Sequence, residues 1–225
     1  MKLYSGDLSP YSAKVRMQIY AKGITDISLE RPAGFGTEAY WKTSPLGRIP
    51  ALELGGDIIP ESEVIAEYLE ELYPEPGLLG ATPRARAEVR TVSRIGDIYL
   101  MNNIFMCLPQ ARRATRNEGI RDLLVGQVKR ALGALEHYIG EGGFAVGGAL
   151  TIADCSLVPA LFLIENVVPT FEAETPVRLG PKVAAYWAAI QGNAHAARVL
   201  EELHRGLEER RAQTAAAAAA AKADA

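Results

Sequence analysis

Residues 48–62 read Arg-Ile-Pro-Ala-Leu-Glu-Leu-Gly-Gly-Asp-Ile-Ile-Pro-Glu-Ser, and this pattern is the strongest indication of the fold. Two short apolar runs, 51–54 and 57–59, flank a Gly-Gly pair, and this spacing predicts a β-hairpin with a glycine turn. Ser62 then precedes apolar residues at helical spacing, so we expect Ser62 to cap an amphipathic helix. The apolar stripe of this helix consists of Val64, Ile65, Tyr68, Leu69 and Leu72.

In the residues before the hairpin, segments with strand patterns alternate with a segment that has a helical pattern. Residues 2–5 and 27–30 are predicted strands, and the segment 10–22 between them has the mixed apolar and charged pattern of a helix. Ser9 and Pro10 fit an N-cap followed by a first-turn proline. The order β-α-β, a helix or loop, and then β-β-α indicates an α/β unit with a thioredoxin-like fold.

A second domain of a different kind follows the first. Proline and glycine are frequent at residues 73–77, and the strand signals stop there. Later segments have helical patterns, which predict an all-helical domain. The alanine-rich end is expected to be a frayed or disordered tail, because a short isolated helix is marginal in water. The predicted helices span 84–108, 120–139, 152–165, 182–191 and 194–207. We therefore expect the thioredoxin-like domain at 1–77, a linker at 78–83, the helical domain at 84–207 and the tail at 208–225.

The composition excludes several classes of protein. The chain has 225 residues, 48% of them hydrophobic, a net charge of -3 and a pI of about 5.7, so no nucleic-acid partner is expected. No apolar run reaches the roughly 18 residues of a membrane span, and no signal-peptide pattern is visible, so no membrane partner is expected. Two cysteines and three histidines lack the spacing of a disulfide framework or a metal site. These features favour a cytoplasmic protein without a bound metal.

The tetrapeptide Ser9-Pro10-Tyr11-Ser12 lies at the predicted N-terminus of the first helix, where thioredoxin-like proteins carry their reactive group. Serine cannot form a mixed disulfide, but the Ser9 hydroxyl can donate a hydrogen bond to the thiolate of a bound molecule. Such a bond contributes about 1.5–3 kcal/mol and the helix N-terminus about 0.3–1 kcal/mol, which together lower a thiol pKa by about 1.3–3. The alternative is that Ser9 only caps its helix.

Two further segments have the chemistry of a site for a small peptide. Pro50 stands where thioredoxin-like folds commonly have a cis-proline, which leaves the backbone N–H and C=O of Ile49 free to pair with an extended peptide. The Ser62 hydroxyl and the nearby backbone N–H groups suit a carboxylate, and Glu61 suits an ammonium group. Together they match the zwitterionic end of an amino acid. A trans-proline at a strand start and ordinary helix capping are the alternatives.

Four motifs in order along the chain resemble the glutathione transferase family. Three lie in the first domain: Ser-Pro-Tyr-Ser-x-Lys-Val-Arg at 9–16, Gly-Arg-Ile-Pro-Ala-Leu at 47–52 and Pro-Glu-Ser-x-x-Ile at 60–65. The fourth, Leu-Thr-Ile-Ala-Asp at 150–154, resembles the family's structural capping box at the start of a buried helix. The resemblance implies that glutathione is the co-substrate and that Ser9 is the catalytic residue that activates its thiol.

The resemblance also implies how the rest of glutathione is held. Ile49, next to Pro50, would pair with the cysteinyl backbone. Glu61 and Ser62 would hold the γ-glutamyl group. Arg48 would reach the glycyl end.

Further residues resemble those of the serine-type glutathione transferases, of the zeta-like or tau-like classes. Asn102 and Asn103 match residues that help the zeta class to bind glutathione, and this class includes cis–trans isomerases of maleyl keto acids. The arginine that commonly meets the substrate carboxylate in that class aligns near Asn166, beside Glu165, and a dianion needs fixed cations. We therefore favour transfer of glutathione to a small hydrophobic electrophile over isomerisation of maleylacetoacetate or maleylpyruvate. A non-catalytic binding module is the third hypothesis.

The electrophile pocket is expected between the two domains. Its candidate residues are Tyr11, Tyr99, Phe105 and Met106, with Met101 and Cys107 beside them. The alternative for most of them is that they form the helix core.

Charged residues on consecutive helices predict a homodimer. The acidic residues are Glu67, Glu70 and Glu71, and the basic residues are Arg84, Arg86, Arg90 and Arg94. In an isologous dimer the acidic helix of one subunit would meet the basic helix of the other. The alternative is two solvated faces.

Overall fold

A computed structural model of the chain describes residues 1–223. The first domain consists of β1 (Lys2–Tyr4), α1 (Pro10–Ala21), β2 (Ser28–Glu30), α2 (Glu38–Thr43), β3 (Ala51–Leu54), β4 (Asp57–Pro60) and α3 (Ser62–Leu72). Its four strands form one sheet in the order β2-β1-β3-β4, in which β1 runs parallel to β2 and antiparallel to β3. Gly55 and Gly56 form the hairpin turn with φ of +57° and +107°, which glycine adopts without a steric cost. The thioredoxin-like prediction is confirmed.

Helix α1 is buried on both sides, because it lies between the sheet and the helical domain. Three of its polar side chains, those of Lys14, Arg16 and Gln18, are therefore buried and need partners inside the protein. Gln18 finds one by donating from Nε2 to the backbone oxygen of Ala66 at 2.8 Å. The apolar cluster on the sheet side consists of Leu3, Val15, Ile19, Ile27, Leu52, Ile65 and Leu69.

The start of α3 differs from the sequence-based expectation. The N-cap position belongs to Glu61, whose φ is +71°, and the helix begins at Ser62, so the prediction that Ser62 caps it is wrong. The apolar stripe is also narrower than predicted, since Val64 and Leu72 are exposed. Only one face of α3 lies against the sheet, which leaves no room for these two side chains inside.

The second domain is all-helical, as predicted. It consists of α4 (Pro83–Arg94), a π-helical segment (Ile95–Met101), α5 (Asn102–Cys107), α6 (Glu118–Tyr138), α7 (Ile152–Asn166), α8 (Pro181–Ile190) and α9 (Ala194–Ala223). Short 3₁₀ turns span Leu108–Ala111, Arg113–Thr115 and Val168–Phe171. Its core surrounds α7, most of which is buried.

The π-helical segment interrupts the long helix that the sequence predicts at 84–108. At its start Gly96 packs against α7, where a Cβ atom would come within 3.2 Å of the Ser156 Cβ and 3.3 Å of the Leu157 side chain. Any larger residue would have to push these neighbours back by a few tenths of an ångström. The wider turn carries the following residue, Asp97, into the interface between the domains, where it is 5% exposed.

The predicted capping box is present at the start of α7. The Asp154 carboxylate accepts hydrogen bonds from the backbone N–H groups of Thr151 and Ala145, both at 2.8 Å. The N–H of Ile152 donates to the Leu78 oxygen at 3.0 Å, which ties the linker to the buried helix. The motif is therefore structural.

The alanine-rich end differs from the expected tail. Helix α9 continues to Ala223 without a break, so residues 208–223 are helical rather than frayed, and Asp224 and Ala225 lie outside the described residues. A packed helix propagates into an alanine run without a second nucleation step, which an isolated segment would require. Among the described residues no helix is both long and apolar enough to cross a membrane. The cytoplasmic location stays a prediction.

The charged residues that suggested a dimer interface are largely paired within one chain. Arg90 binds Glu67 through two hydrogen bonds of 2.6 and 2.7 Å, and Glu70 accepts from Lys22 at 2.9 Å. Most of these charges therefore have partners within the chain, which weakens the charge argument for a second subunit. The homodimer itself stays a prediction.

A buried ion cluster joins the two domains. The fully buried Lys14 ammonium group forms an ion pair with Glu63 of α3 and lies 3.2 Å from Oδ2 of Asp97 in the π-helical segment. It also donates to the Ser93 hydroxyl of α4 at 3.3 Å. Arg94 contacts the same Asp97 oxygen at 2.9 Å, so two cations balance two carboxylates. One lysine thus connects α1 with elements of both domains.

We predict that Lys14→Met destabilises the protein by about 3–5 kcal/mol, because it leaves two carboxylates without their buried cation. The matched control is Lys42→Met, which removes an exposed lysine 4.0 Å from Glu38 and should cost about 0–1 kcal/mol. Urea unfolding of both variants measures the difference. Equal losses would contradict the role given to Lys14.

Candidate active site

A wide cleft lies between the two domains. Its volume is about 1280 Å³, more than the roughly 300–1,000 Å³ of a pocket for one small ligand. Its walls come from the β1–α1 loop, the residues before β3, the start of α3, the π-helical segment, α5 and α9. The cleft is therefore large enough for two substrates side by side.

Ser9 lies half-buried in the cleft at the N-terminus of α1. Its hydroxyl oxygen accepts a hydrogen bond from the Ser12 backbone N–H at 3.2 Å, so Ser9 does cap its helix. Because the oxygen acts as the acceptor in this bond, the hydroxyl proton remains available for a ligand. Capping and donation to a bound thiolate are compatible.

Arg16 holds the loop that carries Ser9. Its guanidinium group donates to the Ser5 hydroxyl at 2.8 Å and to the backbone oxygens of Gly6 and Asp7 at 2.9 and 3.1 Å. Its Nε donates to Glu202 of α9 at 2.6 Å. The buried arginine therefore fixes the loop before Ser9 against both its own helix and the last helix.

The neighbours of Ser9 have different roles. Ser12 is fully buried and does not line the cleft, and among the described residues its hydroxyl has no hydrogen-bond partner. Tyr11 does line the cleft, where its hydroxyl donates to the Asp97 backbone oxygen at 3.3 Å. Burial raises the pKa of Tyr11 to about 12, so its phenol stays protonated at neutral pH.

The predicted peptide-binding residues lie together on one wall. Arg48, Ile49, Pro50, Glu61 and Ser62 all line the cleft, and the Ile49–Pro50 peptide bond is cis, as the sequence predicts. Ser62 is buried at the first turn of α3, so the free backbone N–H groups of that turn lie beside it.

Asp97 is a cleft residue that the sequence reasoning did not select. Its Oδ2 is shared by Lys14 and Arg94, while Oδ1 is buried and has no hydrogen-bond partner within residues 1–223. Burial raises the pKa of the Asp97 carboxyl, and the two nearby cations oppose that rise. An unpaired buried carboxylate oxygen is costly, and the two cations on Oδ2 offset that cost.

The other side of the cleft is mainly apolar. Of the predicted pocket residues, Tyr11, Phe105 and Met106 line it, and the Tyr11 and Phe105 rings are 5.7 Å apart. Asn102 also lines it. The apolar wall residues that the sequence reasoning missed come from separate elements and include Leu8, Leu108, Leu163 and Val167.

Two predicted residues point elsewhere. Tyr99 is 54% exposed, and the Asn103 amide donates to the Tyr99 backbone oxygen at 2.8 Å. Neither belongs to the described lining of the cleft, because the wide π turn changes which residues of this segment face it. Met101 and Cys107 are buried in the core, and burial raises the pKa of the Cys107 thiol, so this cysteine is protonated at neutral pH.

Helix α9 forms the remaining wall and packs directly on the β1–α1 loop. A Cβ atom at Gly206 would lie 2.6 Å from the backbone nitrogen of Leu8, so only glycine permits this approach. Within the described residues no group of three or more His, Cys, Asp or Glu side chains could hold a metal ion.

The family to which this fold and cleft belong is shown by comparison with known proteins. The profile of the glutathione S-transferase N-terminal domain matches residues 3–77, and that of the C-terminal domain matches residues 110–189. The chain belongs to the glutathione S-transferase family.

Three relatives are informative about its place in the family. The chain is 33% identical to a maleylacetoacetate isomerase of Pseudomonas aeruginosa over 205 residues, which cover 88% of this chain and 96% of that protein. It is 30% identical to a maleylpyruvate isomerase of Ralstonia sp over 71% of this chain and 80% of that protein. The crystal structure of a maleylacetoacetate isomerase from Anaeromyxobacter dehalogenans, with glutathione bound in its active site, superposes with a TM-score of 0.69 at 26% identity, covering 88% of this chain and 93% of that chain.

We predict that Ser9→Ala lowers turnover by about ten- to a hundredfold and raises the pKa of the bound glutathione thiol by about 1–2, because one hydrogen bond to the thiolate is lost. Glutathione affinity should change little, since the rest of the wall is intact. Ultraviolet absorbance of the thiolate against pH, with turnover and calorimetric affinity, measures the three effects.

The matched control for this experiment is Ser12→Ala, which removes a buried hydroxyl that does not reach the cleft. It should leave the thiol pKa unchanged. A normal thiol pKa in Ser9→Ala would assign the hydrogen bond to another donor, and the protonated Tyr11 would be the next residue to test.

Proposed function

We propose that this chain is a glutathione-dependent cis–trans isomerase of a maleyl keto acid, an unsaturated dicarboxylate. One observation in the cleft carries the proposal: Arg31, Arg48 and Arg210 line it without a carboxylate partner among the described residues. An apolar cleft with unpaired arginines suits an organic anion. The near full-length similarity to a maleylacetoacetate isomerase supports the same class of substrate. This order reverses the preference for conjugation drawn from the sequence.

Glutathione fits the wall formed by the first domain. Its γ-glutamyl carboxylate would meet Ser62 and the first turn of α3, and its ammonium group would meet Glu61. Its cysteinyl backbone would pair with Ile49, and its glycyl carboxylate would meet Arg48. The position of Ser62 at the first turn of α3, in the lining of the cleft, supports this orientation most directly, because a carboxylate there meets free backbone N–H groups.

The chemistry divides between glutathione and the protein. Glutathione supplies a thiolate that can add to an activated carbon–carbon double bond and leave again, which permits rotation about that bond. The Ser9 hydroxyl would donate a hydrogen bond to the sulfur whenever the sulfur carries negative charge. The arginines that glutathione leaves free, Arg210 above all, would hold the substrate carboxylates, so that the double bond stays beside the sulfur during the rotation.

Conjugation of a neutral electrophile is the second candidate. The observation that favours it is the apolar wall of Leu8, Phe105, Leu108, Leu163 and Val167, which needs no charged substrate. Both reactions use the same thiolate, so they differ in whether the second substrate is a carboxylate or a neutral electrophile.

The test compares the two reactions in one preparation. We expect maleylacetoacetate or maleylpyruvate to be isomerised only when glutathione is added. The kcat/KM of this reaction should be at least about tenfold above that for 1-chloro-2,4-dinitrobenzene, because one further charge-assisted hydrogen bond to the substrate supplies about that factor. A higher kcat/KM for the neutral electrophile would establish conjugation instead. Calorimetric binding of glutathione without either turnover would establish a non-catalytic module.

A further inference from the structure

We propose that Arg210 of α9 binds the carboxylate of the second substrate and thereby selects anionic substrates. This inference rests on the proposed function, because it concerns the substrate that shares the cleft with glutathione. It assigns a specificity role to a helix whose end the sequence analysis predicted to be a frayed tail.

Helix α7 does not supply the cation that a carboxylate needs. The Asn166 amide donates to the Phe162 backbone oxygen one turn earlier at 3.0 Å, so it is engaged within its own helix. Asn166 and its exposed neighbour Glu165 are absent from the described lining of the cleft. A fixed cation must therefore come from another element.

Helix α9 brings such a cation to the cleft. Gly206 fixes the approach of the helix to the loop before Ser9, as the 2.6 Å distance to the Leu8 nitrogen requires. Arg210 and Gln213 follow Gly206 at i+4 and i+7, so all three residues lie on one face of the helix, and all three line the cleft. The position of Arg210 is thus set by a backbone contact one turn away.

The other arginines of the cleft divide into two groups. Four have carboxylate partners within 4.0 Å: Arg16 and Arg198 on Glu202, Arg94 on Asp97 and Arg205 on Asp7. Arg198 also stacks on the Tyr20 ring, 3.6 Å from its centroid. Of the three arginines without such a partner in the described structure, Arg31 and Arg48 come from the first domain, next to the glutathione wall. Arg210 comes from the helical domain, which also provides most of the apolar wall.

The surroundings favour recognition of a carboxylate by Arg210. Arg210 is exposed and lines the cleft, so its guanidinium group is accessible to a ligand there. Glu209 also lines the cleft, but residues adjacent along a helix do not face each other, and the two side chains form no ion pair. Arginine can hold a carboxylate through two parallel hydrogen bonds, which lysine cannot do.

The experiment uses two glutathione conjugates that differ in one group. S-(4-carboxy-2-nitrophenyl)glutathione carries a carboxylate at the position where S-(2,4-dinitrophenyl)glutathione carries a neutral nitro group. Calorimetry with the intact protein gives the Kd of each without turnover. We expect the wild-type protein to prefer the carboxylate conjugate, and Arg210→Gln to weaken this conjugate alone by about ten- to a hundredfold.

Two variants complete the comparison. Arg211→Gln is the matched control, because Arg211 is the next residue, is exposed and does not line the cleft, so both Kd values should stay unchanged. Arg210→Lys should recover part of the preference, since it keeps the charge without the paired hydrogen bonds. The KM for the maleyl keto acid should rise in Arg210→Gln in parallel with the Kd of the carboxylate conjugate.

The outcomes separate this inference from the proposed function. Equal weakening of both conjugates in Arg210→Gln, or equal effects of Arg210→Gln and Arg211→Gln, would overturn the role of Arg210 even if the isomerase activity is found. Loss of the carboxylate preference in Arg210→Gln alone would support that role even if the wild-type protein does not isomerise maleyl keto acids. A wild-type protein without any preference for the carboxylate conjugate would overturn the inference directly.

Discussion

The cleft depends on one buried cation. Lys14 extends from α1 between Glu63 of α3 and Asp97 of the π-helical segment, and it is fully buried. A charge in this environment needs its partners, because desolvation is costly unless the charge is paired. The three elements that it joins carry Ser9, Ser62 and the unpaired Asp97 oxygen. The ion cluster thereby holds the glutathione wall together at the boundary of the two domains.

A second set of contacts fixes the opposite side of the cleft. Arg16 links the loop before Ser9 to Glu202 of α9, and Gly206 lets the backbone of that helix touch Leu8. The loop is therefore held between α1 and α9. The first domain supplies most of the polar groups that suit a tripeptide, and the helical domain supplies most of the apolar wall and Arg210. Under the proposed function, the first domain would hold the thiol while the last helix would select the second substrate.

Much of the fold was predictable because local patterns and tertiary packing agree. The hairpin at Gly55-Gly56 and the capping box of α7 each depend on residues close in sequence, and both are confirmed. The start of α3 was predicted wrongly because Ser62 has the composition of a cap, while the left-handed backbone of Glu61 places the helix boundary one residue earlier. The exposed alanine run continues α9 as helix because the packed first part of the helix removes the nucleation cost that an isolated run would have.

Short motifs in the chain were sufficient to predict the class of fold and the family, since the geometry of such motifs is local. The roles of Ser9 and Ser62 stay predictions. Which distant side chains meet in the cleft depended on tertiary packing. Asp97 enters it because Gly96 packs against α7 in a π turn, and Arg210 enters it because Gly206 packs against Leu8. Such contacts depend on how closely two backbones approach across the fold, and no periodicity along the chain encodes that distance.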